Sequence, residues 1–303
     1  VLSQKTQERK KCSQINFWRC GNMLSVVQSV YNPNPLISLS AQTTIVALDT
    51  LGIDYQYILF NDNGDKDIIK QLPKHIKEHK KFEYHYSDFN YGCKTSPGGF
   101  IGAIDLIKHK YVHQTNQDDF YTSSFYSLAL KHLMITDNQY AAIVTNCYHV
   151  DEEFEILEIP LPQDAKTTNE AWGNPTFMFN WMFGIEGKKL TTSNNFVYFP
   201  GTIYKKELYS TIGKPDIKNF GGSADFEYWA RAVFNGYKFA YLNLPTWLYM
   251  KSQYSHSALD NEGENTRQEI YNPRIKEKYE LLWKKNSYKI RNKPQITEDI
   301  LWD

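Results

Sequence analysis

Carboxylates stand at three places where a strand or helix pattern begins or ends. Asp62 follows the apolar run Tyr55-Gln-Tyr-Ile-Leu-Phe60 and sits in an acidic turn, Asn61-Asp-Asn-Gly-Asp-Lys-Asp67. Asp118 and Asp119 close the β-rich run that begins at Tyr111. Asp225 and Glu227 fall in the first turn of a helical pattern that opens after Gly221-Gly-Ser223. Adjacent aspartates are hard oxygen donors of the kind Mg²⁺ or Mn²⁺ accepts. A carboxylate beside an acceptor hydroxyl can take its proton. Each group also has a plainer reading. Asp118 and Asp119 would cap the helix that follows. Asp62, Asp65 and Asp67 would make a turn and a cap. Asp225 and Glu227 would simply suit a helix macrodipole.

Which reading holds depends on the elements that carry these residues. Met23–Val30 reads as a buried strand, and Tyr31-Asn-Pro-Asn-Pro35 as a turn that cannot extend it. Residues 36–51 carry Leu36, Ile37, Leu39, Ile45, Val46 and Leu48 at helical spacing. Strands are expected at 55–60, 82–86, 111–115 and 140–147, with helices at about 67–80, 100–109 and 122–134. Strand and helix thus alternate through residues 22–150, the mark of a mostly parallel sheet with helices on its faces. In such a sheet Asp62 and Asp118 lie along one edge, where open α/β sheets hold their ligands. Residues 151–195 look irregular. Further on, Ser223 and Gly236 bound a helix with a buried stripe of Phe226, Trp229, Ala230, Val233 and Phe234. Short strands at 237–242 and 246–250 and a charged helix over 267–285 complete the chain.

Bulk properties exclude several classes. Lys plus Arg and Asp plus Glu both number 34, so there is no basic excess to hold nucleic acid. The four cysteines, Cys12, Cys20, Cys93 and Cys147, form no CxxC pair, and free thiols are expected. No apolar run has the length of a membrane span, and residues 1–20 lack a signal-peptide core. No strand carries a GxGxxG fingerprint, which argues against a dinucleotide-binding dehydrogenase.

The order and wording of the segments resemble the family 2 glycosyltransferases of the GT-A fold. Ser29-Val-Tyr-Asn32 matches their first strand end, and Asp62-Asn-Gly-Asp-Lys-Asp67 their D-D/N-G-S-x-D turn. Gly99-Phe-Ile-Gly-Ala103 matches a G-x-x-x-A helix that leads into Asn116-Gln-Asp-Asp119 in place of D-x-D-D. Ala224-Asp-Phe-Glu-Tyr-Trp-Ala-Arg231 followed by Gly236-Tyr-Lys238 matches the E-D-x-x-L-W-x-R helix. The resemblance covers about residues 22–258.

It implies an N-terminal extension at 1–21, a GT-A catalytic domain at 22–258 and a C-terminal helical tail at 259–303. The catalytic domain would comprise a nucleotide-sugar half at 22–120 and an acceptor half at 121–258. The implied activity is an inverting, hexosyltransferase-like transfer from a nucleoside diphosphate sugar, a UDP-sugar, to a saccharide hydroxyl, assisted by Mn²⁺ or Mg²⁺. Asp225 would be the catalytic base. Ser29, Tyr31, Asp62, Asn116 and Gln117 would line the donor site, with Asp62 on the base. Asp118 would bind the metal, joined by His256, and Asp119 and Glu227 would support them. The expected setting is cytoplasmic, with the basic helix (Arg274, Lys276, Lys278, Lys284, Lys285) a solvated face and membrane-surface contact the lesser expectation. Three positions depart from the pattern: Asn116 and Ala224 stand where acids are usual, and Ser252 where the tail histidine would fall. They motivate an alternative, a GT-A-like glycan- or protein-binding module without catalysis. Trp172, Trp181 and Trp247 are expected to pack in the core before they stack on sugars.

Overall fold

The computed structural model describes residues 23–31, 34–92, 98–136, 139–160, 172–193, 197–251 and 267–291. The expected N-terminal extension, His256 and Cys12, Cys20 and Cys93 lie outside the described residues.

A single twisted sheet organises the chain. Its strands are β1 (Leu24–Val30), β2 (Tyr55–Asn61), β3 (Phe82–Tyr86), β4 (Tyr111–Thr115), β5 (Phe120–Tyr121), β6 (Ala142–Val150), β7 (Ile156–Glu158), β10 (Thr202–Lys205) and β11 (Phe239–Met250). The hairpin β8 (Ile185–Glu186) and β9 (Lys189–Leu190) stands apart. The order across the sheet is β3-β2-β1-β4-β10-β6-β11-β5, with β7 on the end of β6. β3, β2, β1 and β4 pair in parallel. β10 runs antiparallel to both β4 and β6, so β6 points the same way as β4, and β11 is parallel to β6. The mostly parallel sheet expected from the alternating pattern is therefore present, with one reversed strand set into its middle.

Both faces are covered, which is why β1 and β2 are mostly apolar and wholly buried rather than alternating. On one face lie α1 (Ile37–Leu51) and α2 (Ser123–Ile135), packed on Leu24, Val26, Tyr57 and Leu59. Ile37, Ala41, Ile45 and Leu48 make the buried stripe of α1, while Leu39 and Val46 face outward. The other face is covered by α3 (Pro175–Phe183), α4 (Ala224–Phe234) and α5 (Asn272–Lys285), packed around Phe179, Phe183, Trp229 and Tyr279. Trp172 and Trp247 are core residues, each 1% exposed.

Several expectations shift in detail. The helix expected over 100–109 is a single turn, Gly99–Gly102, followed by the 3₁₀ turn Ile104–Leu106. The helix expected over 67–80 is likewise broken, into Lys66–Gln71 and Lys74–Lys77, at Pro73. Within 151–195, read as irregular, α3 forms after an Asn174 cap with Pro175 at its first position. α4 is buried nearly all round instead of along one stripe, because α5 covers its outer side. Gly236 ends it as expected, at φ 81°.

Candidate active site

The register of the parallel strands decides what stands at the sheet's C-terminal edge. Val30 pairs with Asn61, and Gln28 with Thr115. The residues just beyond these pairs, Tyr31, Asp62 and Asn116 to Asp119, therefore share one rim. The chain leaves β1 toward β2 on one side, and β4 lies on the other. That makes the β1/β4 boundary the switch point at which such sheets bind ligands. Gly64 lets the β2 turn nest against β1, since a Cβ there would meet the Tyr31 carbonyl oxygen at 1.7 Å. Gly99 does the same for the turn that follows β3: its Cβ would lie 2.2 Å from Ser29 Oγ.

Asp118 and Asp119 are both buried. They do not cap α2. Thr122 does, accepting from Phe125 N at 3.3 Å, so the plain capping reading fails. Asp118 Oδ2 accepts from Asn34 Nδ2 at 3.4 Å, and Asp119 Oδ2 from Asn116 Nδ2 at 3.1 Å. Burial raises the Asp118 carboxyl to about 6. Burial, reinforced by the neighbouring Asp118 charge, pushes Asp119 well above the carboxylate range. A pair held this way favours a bound proton or a cation. β5 and β11 clamp the turn from beyond: Tyr121 stacks on Trp247 at 5.6 Å, and Thr122 Oγ1 donates to Thr246 O at 2.7 Å.

Among the described residues no group of three or more His, Cys, Asp or Glu side chains stands together. Two adjacent carboxylates suit a Mg²⁺-like mode, in which phosphate and water complete the coordination. They do not suit an all-protein cage.

Asp62 is buried at the end of β2. Its Oδ1 accepts from Tyr91 N at 2.9 Å, and its Oδ2 from Gly92 N at 3.1 Å and Gly98 N at 2.8 Å. The carboxylate thus fastens both ends of the segment after β3. Burial raises its pKa, against the pull of these three bonds. Asp65, by contrast, is a plain cap, accepting from Asp67 N. Ser29 Oγ is buried with no hydrogen-bond partner among the described residues. Tyr31 and Gln117 are half-buried on the same rim.

Asp225 is half-buried in the first turn of α4. Ser223 holds the N-cap position, but its side chain makes no capping bond. Tyr198 is 48% exposed, and its phenol is raised by partial burial and then by the Asp225 charge. The Cys147 thiol, pushed to about 12 by burial and by Asp119, also bears on Tyr198.

Glu227 points away from this edge into the core. Its Oε2 accepts from Arg231 at 2.6 Å, and its Oε1 from Lys278 Nζ at 2.9 Å and Tyr279 Oη at 3.0 Å. Burial alone would raise Glu227, but the Arg231 and Lys278 charges hold it below the ordinary value. Lys278 is 2% exposed, so the basic helix is not a solvated face at that position.

Sequence reasoning missed Gln28, Ser40, Asn34, Tyr57 and Tyr198. The available signal was a polar side chain where the pattern demands an apolar one: Gln28 inside the strand LSVVQSV, and Ser40 on the buried stripe of α1.

Two solved structures frame this geometry. S. aureus TarS, a family 2 glycosyltransferase, aligns over 86% of this chain and 42% of its own at 14% identity, with a TM-score of 0.51. Its fragment 1–349 aligns over 75% and 60% at 13% identity and a TM-score of 0.50. The fold is that of the GT-A-like glycosyltransferases. At this identity the likeness shows fold alone, and the chain spans 60% of the fragment's length and 42% of TarS. No protein-family model matches the chain, and no curated protein does. No helix among the described residues is long and apolar enough to cross a membrane.

Proposed function

We propose that the protein is a metal-assisted glycosyltransferase that moves a sugar, with inversion, from a UDP-sugar to a saccharide hydroxyl. The observation that carries this reading is the buried Asp118–Asp119 pair at the β1/β4 switch point of a GT-A-like sheet. Residues 22–120 would form the donor half and 121–258 the acceptor half. The motif resemblance supports the nucleotide and the order of these parts.

Ser29 and Tyr31 line the nucleotide side, where the unpartnered Ser29 hydroxyl can bond a donor group. Asn116 and Gln117 flank the ribose and diphosphate. Asp118, with Asp119 behind it, would hold Mn²⁺ or Mg²⁺, and His256 is the expected further ligand. Such a cation would supply charge neutralisation for the leaving diphosphate. Asp62 shapes the base pocket by fixing the segment that Tyr91 and Gly98 begin and end. Asp225 takes the proton of the acceptor hydroxyl as it attacks, and Tyr198 sits beside it as a wall of the acceptor site. Glu227 supports Asp225 only by locking α4 in the core.

Thermal denaturation with UDP and MnCl₂ tests the reading directly. A specific donor site raises the midpoint at saturating UDP, and a screen of nucleotide sugars finds one that is hydrolysed in Mn²⁺. No shift and no hydrolysis with any donor would sink the proposal.

A further inference from the structure

One buried polar chain ends on the main chain that carries Asp118. Tyr57 Oη donates to Gln28 Oε1 at 2.7 Å. Gln28 Nε2 spends both its hydrogens, one on Ser40 Oγ and one on the Asn116 carbonyl, each at 2.9 Å. Ser40 Oγ then donates to the Asp119 carbonyl at 2.7 Å. Tyr57, Gln28 and Ser40 are each 0% exposed. Every donor in the chain is used, and it runs one way, from β2 through β1 and α1 to two carbonyls. Those carbonyls bracket Gln117 and Asp118, so the two bonds fix both ends of the short turn that presents the Asp118 carboxylate. Burying three polar groups between the sheet and α1 is costly unless each is satisfied, and apolar side chains would pack this interface as well.

We propose that Gln28 and Ser40, with Tyr57 behind them, are positioning residues that set the Asp118 carboxylate for a cation on the donor diphosphate. This rests on the donor-site reading above, and the test separates the two. UDP binding is measured by calorimetry in MnCl₂ and in EDTA, for the wild type, Ser40→Ala and Gln28→Met. Hydrogen exchange at the amides of 116–119 is followed in the same three proteins without ligand. Ser40→Ala removes two bonds, the one accepted from Gln28 and the one donated to the Asp119 carbonyl, with little change in volume, and keeps the proposal testable if Gln28→Met folds poorly. The expected result is about five- to tenfold weaker UDP binding in MnCl₂, unchanged binding in EDTA, and faster exchange confined to the turn. Equal losses in both buffers, or turn amides that exchange as in the wild type, would overturn the positioning role. A wild type that binds no UDP in either buffer overturns the donor reading instead, and the exchange data still decide the relay.

Discussion

Asn116 donates its side-chain amide to the Asp119 carboxylate at 3.1 Å. The position where the family pattern has an acid is therefore filled by a hydrogen-bond donor to the acid three residues on. Restoring the acid would set a third carboxylate against two buried ones. Asn116→Asp is expected to lower the metal-free melting midpoint by about 2–5 °C, more at pH 8 than at pH 5. Added MnCl₂ should recover more of the midpoint than it adds to the wild type. Differential scanning fluorimetry reads both effects, and a variant as stable as the wild type in EDTA would contradict the arrangement.

The aspartate pair also sets a pH dependence. Burial raises Asp118 to about 6 in the folded protein, and burial beside the Asp118 charge raises Asp119 well above its ordinary value. The folded state therefore keeps protons that the unfolded state gives up near pH 4. Stability from this source is fully present below about pH 4 and falls as pH rises through about 6 and beyond. Urea denaturation in EDTA should show the wild type losing stability across that window. Asp118→Asn should flatten the curve, and a wild-type curve that rises there would refute the prediction.

In the proposed reaction Asp225 is the general base. Asp225→Asn should lower kcat on the cognate donor and acceptor by about 10²–10⁴-fold, the usual range for a lost general base. UDP affinity in MnCl₂ should hold, and the helix terminus should lose only about 0.3–1 kcal/mol. Turnover that survives the substitution would refute the base role of Asp225; a wild type that binds glycan or protein without turnover, and a variant that binds as well, would favour the non-catalytic module that Asn116 and Ala224 motivate.

Glu227, Arg231 and Lys278 form a buried ion triad between α4 and α5. Removing one partner strands a charge in the core. Glu227→Ala should cost about 3–5 kcal/mol and release α5, seen as early exchange of the amides of 272–285. Lys278→Met should cost less, because Arg231 still answers the carboxylate and the methionine fills the lysine's volume.

Much of the fold is legible in the sequence because β1, β2 and β6 are largely apolar runs bounded by turn residues, and their alternation with helices marks a mostly parallel sheet. The run 196–204 reads as a strand pair or bend, but the reversed direction of β10 and its place in the sheet are not legible. Thr202–Lys205 is short, and only its antiparallel pairing with β4 and β6 gives it a role. Of the site, residues at strand ends announce themselves by type, as Asp62 and Asp118 do. Their partners do not: the bonds from Asp62 to Tyr91 and Gly98, and from Gln28 to Asn116, join residues 29 to 88 positions apart. Lys278 reads as surface by type and is buried because Glu227, 51 positions earlier, calls for its charge.

Placing β10 between β4 and β6 has a consequence for the order in which the protein is made. β6 buries seven of its nine residues, yet neither neighbour exists when it leaves the ribosome. At ~5–20 residues per second, residues 202–205 follow roughly 3–10 s later, and β11 later still. Through that interval the N-terminal strands can assemble on one another while β6 waits with two unpaired edges. The second half of the sheet closes backward, from a late strand onto an early one, and β6 is the nascent segment that a chaperone has most reason to hold.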